Sequence, residues 1–136
     1  MIGFRVLPVR RRVDAQWIEK FRTLPVANLS DVMSRMSAGG ASLHAMHAGG
    51  RMVGPAVTVK ARPGDNLMVH KALDIAEPGD IVVVDAGGDL TNALIGELMV
   101  AHAAQRGLGG IVIFGAIRDS EEIAEGDFPV FAAGVT

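Results

Sequence analysis

An arginine and an aspartate stand side by side directly after an apolar run of the sequence. Arg118 and Asp119 follow residues 111–114 and a short Gly-Ala-Ile segment. A guanidinium keeps its charge and offers a fork of five donors, which suits a 2-oxo acid or an oxyanion. An aspartate is a hard oxygen ligand for Mg²⁺ or Mn²⁺, ions that take one or two protein carboxylates and keep several waters. The pair could hold an anionic substrate and a metal ion together; the alternative is a surface salt bridge with a helix N-cap.

A second segment with chemical potential is Gly96-Glu97-Leu98-Met99. If a helix starts at Gly96, the N–H groups of Leu98 and Met99 are first-turn donors without helical partners. Such donors, helped by the positive end of the helix dipole, bind a carboxylate or a phosphate. The alternative is that Gly96 allows close helix–sheet packing and that Leu98 and Met99 belong to the core. The glycines match neither a phosphate-binding Walker loop nor the dinucleotide pattern, so nucleotide binding is disfavoured.

Two apolar runs would carry these segments to one edge of a sheet. Residues 81–84 and 111–114 are continuously apolar, which is typical of strands buried on both faces. The segment between the two runs is long enough to contain a helix. A strand, a helix and a second strand in this order predict a right-handed βαβ crossover with parallel strands. Ligands of α/β sheets gather at the carboxyl ends of the strands. The loop at Gly87-Gly88 and the Arg118-Asp119 pair could therefore line one pocket.

The remaining elements are predicted from periodicity and turn residues. Proline and glycine mark their ends. The predicted helices cover 14–22 with Asp14 as N-cap, a segment that contains 30–33 and stops near Gly39-Gly40, 66–76, a span from between Asn92 and Glu97 to about Gln105 with Gly107 as its C′ residue, and 118–123. The further predicted strands cover 51–61, with Pro55 at an edge or bulge, and 129–131.

The composition describes one ordinary globular domain. The chain has 136 residues, 49% of them hydrophobic and 21% charged, with a formal net charge of −2. We therefore expect a single α/β domain over residues 1–136 with no nucleic-acid partner. Cysteine is absent, which excludes disulfides and thiolate sites. No run approaches a membrane span and no signal peptide is evident, which predicts a cytoplasmic protein without a membrane partner.

The basic cluster Arg10-Arg11-Arg12 and the histidines each allow two interpretations. The cluster could be a nucleic-acid arm, but a solvated N-terminal segment is favoured. The four histidines lack a zinc-site spacing. His70 and His102 are interpreted as structural, with a lesser prospect that His70 lines the pocket. No serine lies in a nucleophile-elbow context, so serine hydrolysis is disfavoured.

Taken together, these motifs resemble the RraA-like family, which includes class II pyruvate aldolases acting on 4-hydroxy-4-methyl-2-oxoglutarate. The resemblance runs from about residue 18 through nearly the rest of the chain. It rests on 28–31, 54–59, 83–89, 96–98, 107–112, 115–119 and 129–136. It implies a swivelling β/β/α fold with a βαβ core, assembled as a homotrimer or a hexamer with active sites at subunit boundaries. Family members continue beyond Thr136 with further strands, so the domain is C-terminally short relative to the family.

The resemblance also implies a role for each site residue. Asp119 matches a metal-binding aspartate, and Arg118 matches the arginine that contacts the substrate. The backbone amides of Gly96, Glu97, Leu98 and Met99 match the segment that holds the pyruvyl carboxylate. Glu97 matches an acidic position that holds catalytic water. The implied cofactor is a divalent metal, Mg²⁺ before Mn²⁺ or Co²⁺.

The implied activity is metal-dependent retro-aldol cleavage of 4-hydroxy-2-oxo acids to pyruvate, with oxaloacetate decarboxylation through the same enolate. The alternative is a non-catalytic regulator of the same fold that binds a ribonuclease. Regulatory members often lack the aspartate that follows this arginine, so Asp119 favours the enzyme. An older family label, quinone methyltransferase, is disfavoured because no cofactor-binding glycine loop is evident.

Overall fold

A six-stranded sheet organises the chain, and its two central strands are the apolar runs. The computed structural model describes residues 4–9 and 11–136. Strands β3 (Ile81–Asp85) and β5 (Gly110–Ile117) pair in parallel, from Ile81 opposite Gly110 to Asp85 opposite Phe114. The side chains of Val82, Val84, Ile111 and Ile113 are almost inaccessible to solvent. The two predicted strands and their parallel pairing are confirmed. Their predicted burial on both faces is wrong, because the opposite face carries Val83 and Val112, which are half-buried, and Phe114, which is 38% exposed.

The other strands extend the sheet to both sides. The order is β1 (His44–Ala45), β6 (Val130–Val135), β5, β3 and β2 (Ala56–Lys60), and only β1 runs antiparallel to its neighbour. A short strand β4 (Ala93–Ile95) pairs with β5 beyond the point where β3 ends. Neither β1 nor β4 was predicted, because two or three residues are too few to show a strand period. Pro55 precedes the edge strand β2, as expected for a residue without an N–H donor.

The described residues contain five α-helices and a 3₁₀ turn at Gly40–Ser42. The first two helices and the 3₁₀ turn precede the first strand, and the other three helices each connect two strands. Asp14 caps α1 as predicted, since its carboxylate accepts a hydrogen bond from the Gln16 N–H at 3.0 Å. The second predicted helix is wrong at its end. Helix α2 stops at Val32, because Ser34 and Arg35 adopt positive φ angles that no α-helix contains. The helices are α1 (Ala15–Arg22), α2 (Val26–Val32), α3 (Leu67–Ile75), α4 (Glu97–Gln105) and α5 (Ser120–Glu125).

The core lies between the sheet and α3, α4 and α5, the helices that connect its parallel strands. Val69 and Leu73 of α3, and Ala103 of α4, are buried against the central strands. Gly107 follows α4 with φ +73°, the left-handed conformation predicted for a C′ glycine. Helices α1 and α2, in contrast, contain no buried residue. Within the described residues, no helix is long and apolar enough to cross a membrane.

The N-terminal segment differs from the predicted solvated arm at Arg12. Its guanidinium donates to both carboxylate oxygens of Asp80, at 2.9 and 3.1 Å, and the Asp80 side chain is only 1% exposed. This hydrogen bond to Asp80 raises the pKa of Arg12. Arg12 thus fixes the segment to the turn before β3. The predicted arm also includes residues 1–3 and Arg10, which lie outside the described residues.

Candidate functional site

Strand β5 delivers Arg118 and Asp119 to the carboxyl edge of the sheet. The Arg118 N–H donates to the carbonyl of Ile95 at 3.0 Å, which ties the end of β5 to β4. Asp119 has φ 55°, and this left-handed residue turns the chain into α5. Aspartate tolerates that conformation better than most residues with a side chain. Helix α5 therefore begins after Asp119, not at Arg118 as predicted.

Gly96 brings the start of α4 into direct contact with this pair. A Cβ atom at Gly96 would overlap the Asp119 carboxylate and lie 2.9 Å from the Arg118 Nε atom. The φ angle of Gly96 is −136°, which any residue can adopt, so the glycine is required by proximity and not by conformation. The predicted close packing at Gly96 is therefore present, but the close neighbours are the two site side chains.

The Asp119 carboxylate joins the two segments. Its Oδ2 atom accepts a hydrogen bond from the Glu97 N–H at 3.1 Å and lies 3.5 Å from the Arg118 Nε atom. Although Asp119 occupies the N-cap position of α5, its side chain makes no cap bond there. It caps α4 instead, where a negative charge meets the positive end of the helix dipole. The two predicted motifs thus form one cluster.

The backbone amides of α4 are not equally available to a ligand. The Glu97 N–H is taken by Asp119, and the Met99 N–H donates to the Gly96 carbonyl at 3.2 Å. Within the described part of the chain, the Leu98 N–H has no hydrogen-bond partner. Of the two donors predicted to be free, only that of Leu98 is free here. The Leu98 side chain is 75% exposed, so it does not belong to the core.

A small pocket of about 140 Å³ opens beside these residues. Gly96, Leu98, Met99 and Arg118 line it together with Asn66, which the sequence analysis missed. Asn66 precedes α3 but its side chain does not cap that helix, because the neighbouring Asp65 carboxylate accepts the Leu67 N–H instead. The Asn66 amide is left with a weak contact to the Met99 sulfur, at 3.9 Å. The sequence contains two adjacent residues that could each cap α3, Asp65 and Asn66. Because one cap is enough, the other side chain could have been predicted to be free for a ligand.

The donor set suits a hard cation held by one carboxylate. Within the described residues, no group of three or more histidine, aspartate or glutamate side chains converges on a point. Asp119 has one oxygen bound to the Glu97 N–H, and its Oδ1 atom makes no hydrogen bond to the described chain. One free oxygen on a carboxylate that is 33% exposed fits Mg²⁺, which keeps most of its waters. The exposed Glu97 lies on the first turn of α4 nearby.

Several predicted contributors are absent from the lining of the pocket. Glu97 and Asp119 do not line it, although Asp119 lies 3.5 Å from the Nε atom of Arg118, which does. Gly87 and Gly88 are absent from its lining, and Gly88 packs instead against the Phe114 ring. Strand β3 ends at Asp85, whose carboxylate accepts hydrogen bonds from the Lys60 ammonium at 2.6 Å and from the Gly87 N–H at 2.9 Å. Both hydrogen bonds lower the pKa of Asp85, and the one from Lys60 has the larger effect. The exposed His70 and His102 do not line the pocket either.

A family model for RraA-like proteins, described as Aldolase/RraA, matches residues 26–136. The chain belongs to the RraA-like family. A protein of Halalkalibacterium halodurans named "Putative 4-hydroxy-4-methyl-2-oxoglutarate aldolase" is 37% identical over 125 residues, which are 92% of this chain and 60% of that protein. A protein of the same name from Ectopseudomonas mendocina is 42% identical over 79 residues, 58% of this chain and 48% of that one. The chain thus spans only about half to three fifths of these relatives.

Solved structures of RraA-like proteins have the same mixed α/β fold. The RNA-processing inhibitor RraA from Thermus thermophilis superposes with a TM-score of 0.73 at 30% identity, over 83% of this chain and 68% of that one. A structure from Geobacillus kaustophilus, titled as an S-adenosylmethionine: 2-dimethylmenaquinone methyltransferase, gives a TM-score of 0.74 at 32% identity, over 83% and 70%. Similar chains therefore carry aldolase, regulator and methyltransferase names on one fold.

Proposed function

We propose that this RraA-like chain is a metal-dependent lyase that cleaves 4-hydroxy-2-oxo acids of the 4-hydroxy-4-methyl-2-oxoglutarate type to pyruvate and a second carbonyl compound. It would decarboxylate oxaloacetate through the same enolate. One observation carries the proposal. Arg118 and Asp119 follow β5 and contact the first turn of α4 at Gly96 and Glu97, beside a pocket of about 140 Å³.

Substrate binding is assigned to the groups that the fold leaves without protein partners. The Leu98 N–H would donate to the C1 carboxylate at the positive end of α4. Arg118, whose side chain is 68% exposed beside the pocket, would donate to the 2-oxo oxygen. The Asn66 amide, with only a thioether as neighbour, supplies a further donor to the same pocket.

Cleavage moves one proton and one electron pair. A base removes the proton of the C4 hydroxyl, the C3–C4 bond breaks, and C4 becomes a carbonyl while the pair forms the enolate of pyruvate. Arg118 would stabilise the developing oxyanion; the loss of one such donor costs about 3–4 kcal/mol in other enzymes. Glu97, directly or through a water, would take the hydroxyl proton, since it lies on the first turn of α4 between Gly96 and Leu98, which line the pocket, whereas no histidine lines it. A proton then returns to C3 and completes pyruvate.

Asp119 would hold the divalent metal, with Mg²⁺ the first choice and Mn²⁺ or Co²⁺ as alternatives. Its Oδ1 atom is available for this, while Oδ2 remains bonded to the Glu97 N–H. When bound, such an ion supplies Lewis-acid stabilisation of negative charge on the substrate oxygens. The proposed assembly is a homotrimer, or a hexamer formed by two trimers. The proposed location is the cytoplasm, and the proposed partner molecule is a small 2-oxo acid.

The test is pyruvate release, coupled to lactate dehydrogenase, from 4-hydroxy-4-methyl-2-oxoglutarate and from oxaloacetate, with Mg²⁺ and with EDTA. Reactions without protein correct for spontaneous decarboxylation. We expect Asp119→Ala to lower kcat/KM by about a thousandfold or more. The control Asp127→Ala removes an exposed aspartate outside the pocket and should behave as wild type. Full, metal-independent activity of Asp119→Ala would refute the proposal.

The second candidate is a regulator that binds a ribonuclease. It is supported by the structural likeness to the RNA-processing inhibitor RraA of Thermus thermophilis. Capture of a ribonuclease by folded wild-type protein, with no turnover of any 2-oxo acid, would favour it over the lyase. A thermal shift with S-adenosylmethionine tests the methyltransferase alternative, for which we expect no stabilisation.

A further inference from the structure

A cavity of about 580 Å³ lies at the opposite edge of the sheet from Arg118, between the two N-terminal helices and the amino ends of β2, β3 and β6. We call it the amino-edge groove. Its wall includes Trp17, Phe21, Leu24, Arg51, Ile81 and Phe131. None of the predicted site residues contributes to it, so any role of this groove is independent of the proposed lyase.

The wall is apolar and open to solvent. Trp17 is 49% exposed, Phe21 43% and Leu24 41%. Trp17 and Phe21 belong to α1, and Leu24 belongs to the turn after it. Neither α1 nor α2 contains a buried residue. An apolar surface of this kind is unfavourable in water and usually marks a binding site. The volume lies within the range of pockets for small organic ligands.

The positive side chains in and beside the groove indicate that its ligand carries a negative charge. Among the described residues that line it, Arg51 is the only charged one. Its Nη1 atom donates to the Arg22 carbonyl at 2.8 Å, which orients the guanidinium, and its other N–H groups have no partner within the described chain. Lys20 adds a second positive charge, 4.4 Å from the centre of the Trp17 ring. An apolar wall with a positive group at its rim complements an apolar chain that ends in an anion.

We propose that the amino-edge groove binds an amphipathic carboxylate, with its hydrocarbon chain against Trp17 and Phe21 and its carboxylate at Arg51. Burial of the chain provides most of the affinity, because apolar area removed from water is the dominant favourable term. The carboxylate accepts hydrogen bonds from the free side of the Arg51 fork, the geometry that guanidinium groups favour.

The test uses the fluorescence of the full chain, in which Trp17 is the single tryptophan and tyrosine is absent. Dodecanoate and dodecanol are titrated below the concentrations at which they aggregate. We expect a saturable blue shift with dodecanoate, at about fivefold lower Kd than with dodecanol. Equal Kd values for the two ligands, or no saturation with either, would overturn the proposal.

Two arginine variants locate the carboxylate. Arg51→Gln should weaken dodecanoate by about fivefold and leave dodecanol unchanged. Arg35→Gln, which removes an arginine outside the groove from the same N-terminal region, should change neither. Unaltered dodecanoate affinity in Arg51→Gln would overturn the assignment. So would a concentration-dependent blue shift without ligand that parallels dimer formation in sedimentation velocity, since a second copy would then cover the groove.

Discussion

The two edges of the sheet are built in opposite ways. At the carboxyl edge, short segments that follow buried strands hold a polar cluster, in which Arg118, Asp119 and the Glu97 N–H lie within hydrogen-bond or ion-pair distance. At the amino edge, two helices without a single buried residue leave an apolar groove. The residues of the carboxyl edge directly follow strands of the core, whereas the helices of the amino edge contribute no buried residue to it.

The two edges also differ in how firmly the neighbouring residues are packed. Ile117, directly before Arg118, is fully buried, so the backbone of the site inherits the rigidity of the central strands. Trp17 and Phe21 are 49% and 43% exposed, and the helix that carries them contains no buried residue. Chemistry that needs fixed geometry belongs at the first edge, and apolar binding that tolerates adjustment belongs at the second.

The largest expected effect contrasts a central strand with α2. Ile111→Ala should lower the free energy of unfolding by about 2–5 kcal/mol, because Ile111 is fully buried and its truncation leaves a cavity. Val26→Ala, at a position 80% exposed, should change it by less than about 0.5 kcal/mol. Urea unfolding followed by far-UV circular dichroism measures both. Similar losses in the two variants would mean that α2 is part of the core.

A next test asks whether the carboxyl edge depends on the missing Cβ of Gly96. Gly96→Ala should lower kcat/KM for oxaloacetate by about a hundredfold, because the new atom displaces the Asp119 carboxylate and the Arg118 guanidinium. Both are side-chain ends that can move, so the melting temperature should change little. Gly49→Ala is the matched control, since a Cβ there meets nothing within 4 Å. Unchanged activity in Gly96→Ala would show that the contact does not position the site.

Sequence reasoning succeeded where long periodic segments decide the structure. The two central strands, their parallel pairing and the C′ glycine at Gly107 follow from apolar runs and turn residues, and all are present. The proximity of Gly96 to Arg118 and Asp119 was not predicted, since the two interpretations of that glycine were first-turn donors for an anion and close helix–sheet packing. Nothing local specifies it, because it depends on β4, a three-residue strand that pairs with the end of β5.

The failures arise where periodicity does not determine the local structure. The hydrogen bond of the Met99 N–H and the role of Asn66 depend on which of several competing donors or caps has a partner. The end of α2 depends on the positive φ angles of Ser34 and Arg35. The Arg12–Asp80 pair joins positions 68 residues apart, a separation at which no sequence period operates. The amino-edge groove is likewise formed by segments from both halves of the chain.

The Arg12–Asp80 pair provides a test of how firmly the N-terminal segment is attached. Arg12→Met leaves the Glu77 backbone N–H, at 2.9 Å, as the remaining hydrogen-bond donor to the buried Asp80 carboxylate among the described residues. We expect the melting temperature to fall by about 5–10 °C, because an unpaired buried charge is costly. Arg11→Met removes an exposed neighbour and should have no such effect. Equal melting temperatures for the two variants would mean that the pair does not stabilise the fold.

The smallest expected effect concerns the Lys60–Asp85 pair at the carboxyl edge. Lys60 lowers the pKa of Asp85 in the folded protein, so the pair contributes stability above the unfolded carboxyl pKa of about 4 and loses it as the pH falls through the depressed folded value. Lys60→Met should therefore reduce the melting temperature by about 1–2 °C near neutral pH. The difference should shrink below about pH 4, as Asp85 takes up its proton.

The control and the salt dependence distinguish this pair from a general charge effect. Lys71→Met removes an exposed lysine of α3 and should show no comparable pH dependence. Because the Lys60 and Asp85 side chains are 73% and 55% exposed, added salt should weaken their contribution further. A Lys60→Met difference that persists unchanged at acid pH would instead reflect lost packing of the lysine stem on the edge strand β2, and the carboxyl edge would then depend on apolar contacts as the amino edge does.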